Sequence, residues 1–260
     1  MNGSIVVVGM GPGAMTQMTP AALDAIETSD IIVGYTTYLK LIAELAPNVP
    51  RERSGMRQEV QRISKAVDLA VEGKRVAVIS SGDAGIYGMA GLVYAIVAER
   101  KLSIEVTVVP GISALNAAAS LLGAPLMTDF AVISLSDQLT PRAEIMRRVK
   151  AAVEADFILC LYNPKGRNRV EPFELTCDIL AKHHAPQTPV GIVRAAYREK
   201  QQVELTTIAD LPQAEVNMVT ILIVGNSRTQ VVDGKMVTPR GYADKYELTD
   251  KKAEHGDSQS

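Results

Sequence analysis

Two glycine-rich stretches carry the residues best suited to chemistry in this sequence. The first is Gly9-Met10-Gly11-Pro12-Gly13, entered directly from the apolar run Ile5–Val8. The second is Ser81-Gly82-Asp83-Ala84-Gly85-Ile86-Tyr87-Gly88, entered from Arg75–Ser80. Glycines at the end of a buried strand let the backbone approach a small molecule closely. In a parallel sheet, ligands collect outside the carboxyl ends of the strands. Asp83 is the only carboxylate in its loop. It suits a cationic partner such as an α-ammonium, and equally the cap of the helix that follows. Farther on, Ser136 and Asp137 form a polar pair before Pro141, where Asp137 or Thr140 also suits a helix cap. Lys165, Arg167 and Arg169 crowd one short loop and Arg57 stands in another. Guanidinium forks match carboxylates in bidentate fashion, so these side chains suit an acidic ligand, and also a solvated basic loop.

The first stretch formally satisfies the dinucleotide fingerprint, whose last position accepts an alanine such as Ala14. Three features oppose that reading. Pro12 has no N–H to offer a pyrophosphate. The next helix starts near Thr19-Pro20, whereas the dinucleotide motif opens its helix on the loop itself. No acidic residue follows the second strand, since Asp30 precedes it. A phosphate-cradling Gly-Lys-Ser/Thr loop is also missing.

The elements that position these loops follow from the patterning. Strands are predicted at Ser4–Val8, Asp30–Val33, Arg75–Ser80, Glu105–Val109, Phe130–Ser134, Phe157–Tyr162, Val190–Arg194, Gln202–Thr206 and Met218–Val224. Helices fit between them. One begins at Pro20, capped by Thr19. Another spans Arg57–Glu72, with Val60, Ile63, Val67 and Val71 on one face. Others span Tyr87–Glu99, Ala114–Leu122, Pro141–Glu154 and Glu171–Lys182. Such alternation predicts an α/β fold. A single closed barrel is one solution; two domains fit better. The last two strands are separated only by the polar TIADLPQAEVN, which suggests an antiparallel or mixed edge rather than a crossover helix. Pro110-Gly111 and Gly123-Ala124-Pro125 punctuate the chain between the halves.

Composition narrows the function. The 260 residues are 47% hydrophobic and 22% charged with a net charge of −2, which gives no reason to expect nucleic acid or an acidic membrane as partner. No apolar run approaches the roughly 20 residues of a membrane helix, and no basic segment precedes the first apolar run as in a signal peptide. The two cysteines form no metal-ligand pattern, so no metal is expected, and a reducing cytoplasm is the natural setting.

Several segments together resemble the tetrapyrrole methylase family over residues 3 to about 242: GMGPG, VGYTTY, GMRQEVQR, SSGDAGIYGMAG, VPGISALNAAASLLGAPLMTDFAVISLSDQLTP and LYNPKGRNR. GMGPG is family-wide; SSGDAGIYGMAG, DFAVISLSDQLTP and LYNPKGRNR are far more specific. The resemblance implies two α/β domains, 1–115 and 116–242; the tail, 243–260, carries no match, and its polar ending KKAEHGDSQS predicts disorder. It implies S-adenosylmethionine in the interdomain cleft, leaving as S-adenosylhomocysteine. The implied cofactor contacts are Pro12, Gly82, Asp83, Ala84, Ile86, Tyr87, Ser113, Ala114, Tyr162, Asn163, Ala196, Thr220 and Ile221. For Asn163 and Thr220 contact is favoured because a buried polar group needs a partner. The implied substrate is a carboxylate-rich tetrapyrrole, met by Gly11, Pro12, Arg57, Lys165, Arg167 and Arg169. Methylation at a ring carbon with contraction of the macrocycle also requires proton transfer. The candidates are Asp83, Tyr87, Ser136 and Asp137, with Asp129 beside them. A homodimer is implied as well.

Overall fold

The computed structural model describes residues 3–55 and 57–248. Its first half contains β1 (Ser4–Gly9), α1 (Pro20–Glu27), β2 (Ile31–Tyr35), α2 (Thr36–Leu41), β3 (Arg51–Ser54), α3 (Glu59–Val71), β4 (Arg75–Ser80), α4 (Ala90–Glu99) and β5 (Glu105–Val109). The strands form one sheet in the order β3-β2-β4-β1-β5, parallel throughout. Their β-branched runs are buried on both faces, as a parallel sheet clad by helices requires. Thr19 caps α1, accepting from Ala22 N at 3.2 Å, and Pro20 takes the first helical position.

The second half contains α5 (Ala114–Leu122), β6 (Gly123–Ala124), β7 (Phe130–Ser134), α6 (Arg142–Glu154), β8 (Ile158–Tyr162), α7 (Glu171–His183), β9 (Pro189–Arg194), β10 (Gln202–Thr207), β11 (Thr220–Val224), β12 (Gln230–Val232), β13 (Lys235–Val237) and α8 (Tyr242–Lys245). The main sheet runs β10-β9-β11-β8-β7. β7 and β8 are parallel, while β11 is antiparallel to β8 and β9 and β10 is antiparallel to β9. The expected mixed edge is present, although β10 and β11 flank β9 rather than pair with each other. One face is covered by α6 and α7, and the other by α5. Gly191 lets α5 sit close, since a Cβ there would lie 2.3 Å from Leu122 Cδ1. β12, β13 and β6 form a small separate sheet.

Two local expectations fail. In α3 the buried residues are Arg62, Ile63, Ala66, Val67, Leu69 and Ala70, whereas Val60 and Val71 are exposed. The helix is rotated toward Ala66 and Ala70, whose small side chains permit a close approach to the sheet. α4 begins at Ala90, because Tyr87 is left-handed (φ +53°) and belongs to the preceding turn. α5 packs on the second sheet, and the chain passes from the first half to the second over Pro110–Ser113. Beyond Tyr242, α8 reaches Lys245, and Arg228 pairs with Asp244 at 2.5 Å. The rest of the expected tail, 249–260, lies outside the described residues. Among the described residues no helix is long and apolar enough to cross a membrane, and no His/Cys/Asp/Glu group could hold a metal.

Both cysteines are buried, Cys160 in β8 and Cys177 in α7. Burial pushes each thiol up to about 12. A raised thiol pKa leaves the unreactive protonated form at pH 8. Iodoacetamide at pH 8 should therefore label neither cysteine in the folded protein and both in urea. Rapid labelling of the folded chain, read by mass spectrometry, would show that β8 or α7 opens locally.

Candidate functional site

The loops after β1, β4 and β5 meet backbone against backbone. Gly11 and Gly82 exchange hydrogen bonds, Gly11 N to Gly82 O at 3.0 Å and Gly82 N to Gly11 O at 2.8 Å. Both are left-handed, at φ +76° and +69°. A Cβ on Gly9 would fall 2.6 Å from Gly111 N, and one on Gly111 would fall 2.3 Å from Gly82 O. Only glycines allow this stack. Asp83 locks it. Its Oδ1 accepts from Gly85 N at 2.8 Å and Ile86 N at 3.0 Å, and its Oδ2 accepts from Gly111 N at 3.1 Å. Asp83 does not cap α4, whose N-cap Met89 has no side-chain bond. The carboxylate closes its own turn and ties it to the next loop.

The carboxyl ends of β7, β8 and β9 form the facing wall. The Tyr87 ring lies 5.1 Å from that of Tyr162, and the Tyr87 hydroxyl donates to Val132 O at 3.2 Å. The Tyr162 hydroxyl accepts from Leu115 N at 3.0 Å. Ser113 caps the same helix, accepting from Asn116 N at 3.4 Å. Tyr162 and Ser113 thus satisfy the free N–H groups at the start of α5. Burial raises the hydroxyl pKa of Tyr87 and of Tyr162, so both are neutral near pH 7. Asn163 is left-handed (φ +50°) and its Nδ2 donates to Ser134 Oγ at 3.1 Å. The buried Thr220 hydroxyl accepts from Asn217 N at 3.1 Å and lies 3.2 Å from Asn217 Oδ1. Its partner is therefore within the chain, and the argument that burial alone demands a ligand does not hold for it.

Contacts link Gly11, Pro12, Gly82, Asp83, Ala84 and Ile86 with Ser113 and Ala114 at the strand-end loops of the first half, and Tyr87 with Tyr162 and the segment before Asn163 across to the second. Gly11, Pro12, Gly82 and Ala84 are buried, while Ile86 and Tyr87 are exposed. Ala196 follows left-handed Ala195 (φ +49°) at the end of β9, next to Thr220 and Ile221 at the start of β11. Ser136 N donates to Ser134 Oγ at 3.3 Å. Asp137 is paired with Arg142 at 3.0 Å and caps nothing: the N-cap of α6 is Pro141, without a side-chain bond. Among the basic residues, Arg169 is committed internally, to Leu135 O at 2.6 Å and Asn163 O at 2.8 Å. Lys165 lies over the Phe173 ring at 5.6 Å. Arg167 is exposed and makes no ion pair among the described residues. Arg57 is exposed and left-handed (φ +63°), near the edge strand β3 and apart from that loop.

Sequence analysis missed Arg198. From the loop after β9 its Nε donates to Pro12 O at 2.7 Å and its Nη2 to Ser81 Oγ at 2.8 Å. The partners lie more than a hundred positions away, so no local pattern announces them.

Two α/β halves joined through the loops at their strand ends define the class of fold. The model of the tetrapyrrole (corrin/porphyrin) methylases matches residues 4–212. A crystal structure of the methyltransferase CobJ superposes with a TM-score of 0.84 at 33% identity, covering 91% of this chain and all of that one. The chain is 49% identical to the probable cobalt-factor III C(17)-methyltransferase of Salmonella typhimurium, over 91% of itself and 98% of that relative. It is 37% identical to the precorrin-3B C(17)-methyltransferase of Sinorhizobium sp, over 94% of itself and 98% of that relative. The cobalt-factor III methyltransferase of Priestia megaterium is 48% identical over 95% of the chain, which spans about half (47%) of that longer protein. The chain belongs to the tetrapyrrole methylases.

Asp83→Ala removes the acceptor of three backbone N–H groups and should lower stability by about 2–3 kcal/mol. Asp83→Asn keeps an acceptor for Gly85 and Ile86 and should cost less. Urea unfolding of the two variants checks the order. An Asp83→Ala protein as stable as the parent would remove the carboxylate's locking role.

Proposed function

We propose that this chain is a C-methyltransferase of cobalamin biosynthesis that uses S-adenosylmethionine to methylate carbon 17 of a tetrapyrrole, with contraction of the macrocycle. The observation that carries the reading is the backbone-stitched turn at Gly11, Gly82 and Asp83, set against Tyr87, Tyr162 and Asn163. Relatives bearing C(17)-methyltransferase names match the chain across that whole span. Higher identity to the cobalt-factor III relatives makes the cobalt-containing macrocycle the first substrate to test. Precorrin-3B, giving precorrin-4, is the second. The cytoplasm and a homodimer complete the proposal.

The residues present fit the cofactor. Pro12 offers no N–H and no cation cluster lines the stitched loops, so nothing there is built for a pyrophosphate. Exposed apolar side chains such as Ile86 and Val219 suit a flat base, and strand-end backbone groups suit the amino-acid portion. Gly82, Ala84, Ile86 and Tyr87 would hold it on one side, with Ser113 and Ala114 beside them. Tyr162, Asn163, Ala196, Thr220 and Ile221 would hold it on the other. When bound, adenosylmethionine supplies a methyl group already activated on its sulfonium.

What remains for the protein is orientation. An in-line displacement needs the accepting carbon held at near-attack distance. Gly11 and Pro12 shape the floor, and the neutral Tyr87–Tyr162 pair restricts water. Arg167 and Lys165, with Arg57 from the first sheet, receive substrate carboxylates; Arg169 shapes their loop. Asp83, engaged by three backbone N–H groups, and Tyr87, whose hydroxyl donates to Val132 O, are given structural roles. Ser136 and Asp137 are assigned the proton transfers of contraction. Asp137→Ala should lower turnover by at least about tenfold while S-adenosylhomocysteine affinity stays unchanged. Wild-type turnover in that variant would remove Asp137 from the reaction.

The substrate assignment is tested by offering the purified protein methyl-labelled adenosylmethionine with cobalt-factor III or precorrin-3B in separate reactions. Mass spectrometry should find one added label in the cobalt species. Label only in the metal-free species would select the second substrate. No label in either, despite S-adenosylhomocysteine binding, would overturn the assignment while leaving the family intact.

A further inference from the structure

Among the described residues, Arg198 is the one guanidinium that joins the second half of the chain to both glycine loops of the first. Its loop is held independently. Arg198 N donates to Ala195 O at 3.0 Å, Gln201 N to Arg198 O at 3.0 Å, and Ala195 N to Val219 O at 3.3 Å. Tyr197 N donates to Gln201 Oε1 at 2.7 Å, and the Tyr197 hydroxyl pairs with Ser120 Oγ at 3.0 Å. From this fixed base the side chain crosses the cleft and lies along Gly13. A Cβ on Gly13 would fall 2.5 Å from Arg198 Cγ and 2.9 Å from its Nε, so only glycine leaves the path open.

The ends of that path are chemically selective. A proline carbonyl and a serine hydroxyl accept from Nε and Nη2, and no carboxylate pairs with Arg198 among the described residues. A partly buried guanidinium without a counter-charge is not the cheapest way to brace two loops. What a planar fork provides is two bonds in fixed relative directions, which a lysine ammonium cannot reproduce. Ser81 opens the turn that contains Gly82 and Asp83, and Pro12 closes the turn that begins at Gly11. One side chain therefore sets both halves of the Gly11–Gly82 stitch relative to Ala195–Tyr197.

We propose that Arg198 is a positioning residue that fixes the Gly11–Gly13 loop against the Ala195–Tyr197 loop, so that both walls of the cleft are set before the methyl acceptor arrives. The effect on turnover rests on the methyltransferase reading above; the effect on the loops does not. Pro12 has no N–H, and turning its carbonyl away from Arg198 toward a ligand would break the clasp.

The test compares the parent with Arg198→Ala and Arg198→Lys in the full chain. Hydrogen exchange read by mass spectrometry reports on Gly11 N–H and Gly82 N–H without any substrate. In Arg198→Ala these should exchange at least about tenfold faster, with β8 and β11 unchanged. With labelled adenosylmethionine and the accepted tetrapyrrole, kcat should fall at least about tenfold while the S-adenosylhomocysteine Kd stays within about threefold. Arg198→Lys should recover part of kcat. Unchanged exchange at Gly11 and Gly82 would overturn the clasp. A loosened loop with parental kcat, full recovery by lysine, or parallel loss of kcat and cofactor affinity would reduce Arg198 to a structural brace and overturn the positioning role. If the parent methylates neither tetrapyrrole, the functional reading fails, and the exchange comparison alone decides the clasp.

Discussion

The close approach of backbone at Gly9, Gly11, Gly82 and Gly111 is the constraint on which the site depends. A parallel sheet splays its strand-end loops unless something draws them together. Here the reciprocal bonds between Gly11 and Gly82 do so, in left-handed conformations that favour glycine, while Gly9 and Gly111 approach too closely for a Cβ. Asp83 adds the third loop by reaching Gly111. The first half thus presents one continuous backbone surface, not three separate loops. The geometry comes from missing Cβ atoms and one carboxylate, set above the apolar clusters that pack both faces of the sheet.

The polar residues around the cleft are mostly committed to the protein. Asp83 serves backbone N–H groups, Tyr162 and Ser113 serve the first turn of α5, Asn217 serves Thr220, and Arg169 serves two carbonyls. What faces the open space is backbone, aromatic surface and exposed apolar side chains such as Ile86, Tyr87 and Val219. Such a lining suits a ligand bound by shape. It also suits a reaction in which a positive charge disappears as the group moves, because a weakly polar setting disfavours the charged starting state.

Much of this was legible in the sequence, and the failures share a cause. β4, β5, β7 and α5 run between the predicted residues, since each has a strong period and a glycine, proline or cap at its end. β3 was invisible: RERS is an edge strand without apolar residues, placed by its neighbour β2. The face of α3 was misjudged because valines mark hydrophobicity while alanines mark closeness, and closeness decided the rotation. The cleft residues were found through motifs, but their partners were not. Asp83 and Gly111, Tyr162 and Leu115, and Arg198 and Pro12 are contacts of high sequence separation, and periodicity carries no information about them.

Backbone conformation explains why the two halves must act together. Tyr87, Asn163, Ala195 and Tyr197 are all left-handed although none is glycine. Each such residue costs about 1–2 kcal/mol relative to an ordinary conformation. All four sit at strand ends beside the cleft, and each is anchored by a contact to another segment: Tyr87 to Val132, Asn163 to Ser134, Ala195 to Val219 and Tyr197 to Ser120. Strain of this kind persists only where the surroundings over-determine it, and it concentrates where geometry serves a ligand. Tyr87 is the informative case, because its anchor lies in the other half of the chain. Its hydroxyl and ring find their partners only in the second half, just as the Pro12 carbonyl is held only when Arg198 reaches it. The first half supplies the glycine surface and the second supplies the contacts that hold its flexible edges, so neither wall of the cleft is complete alone.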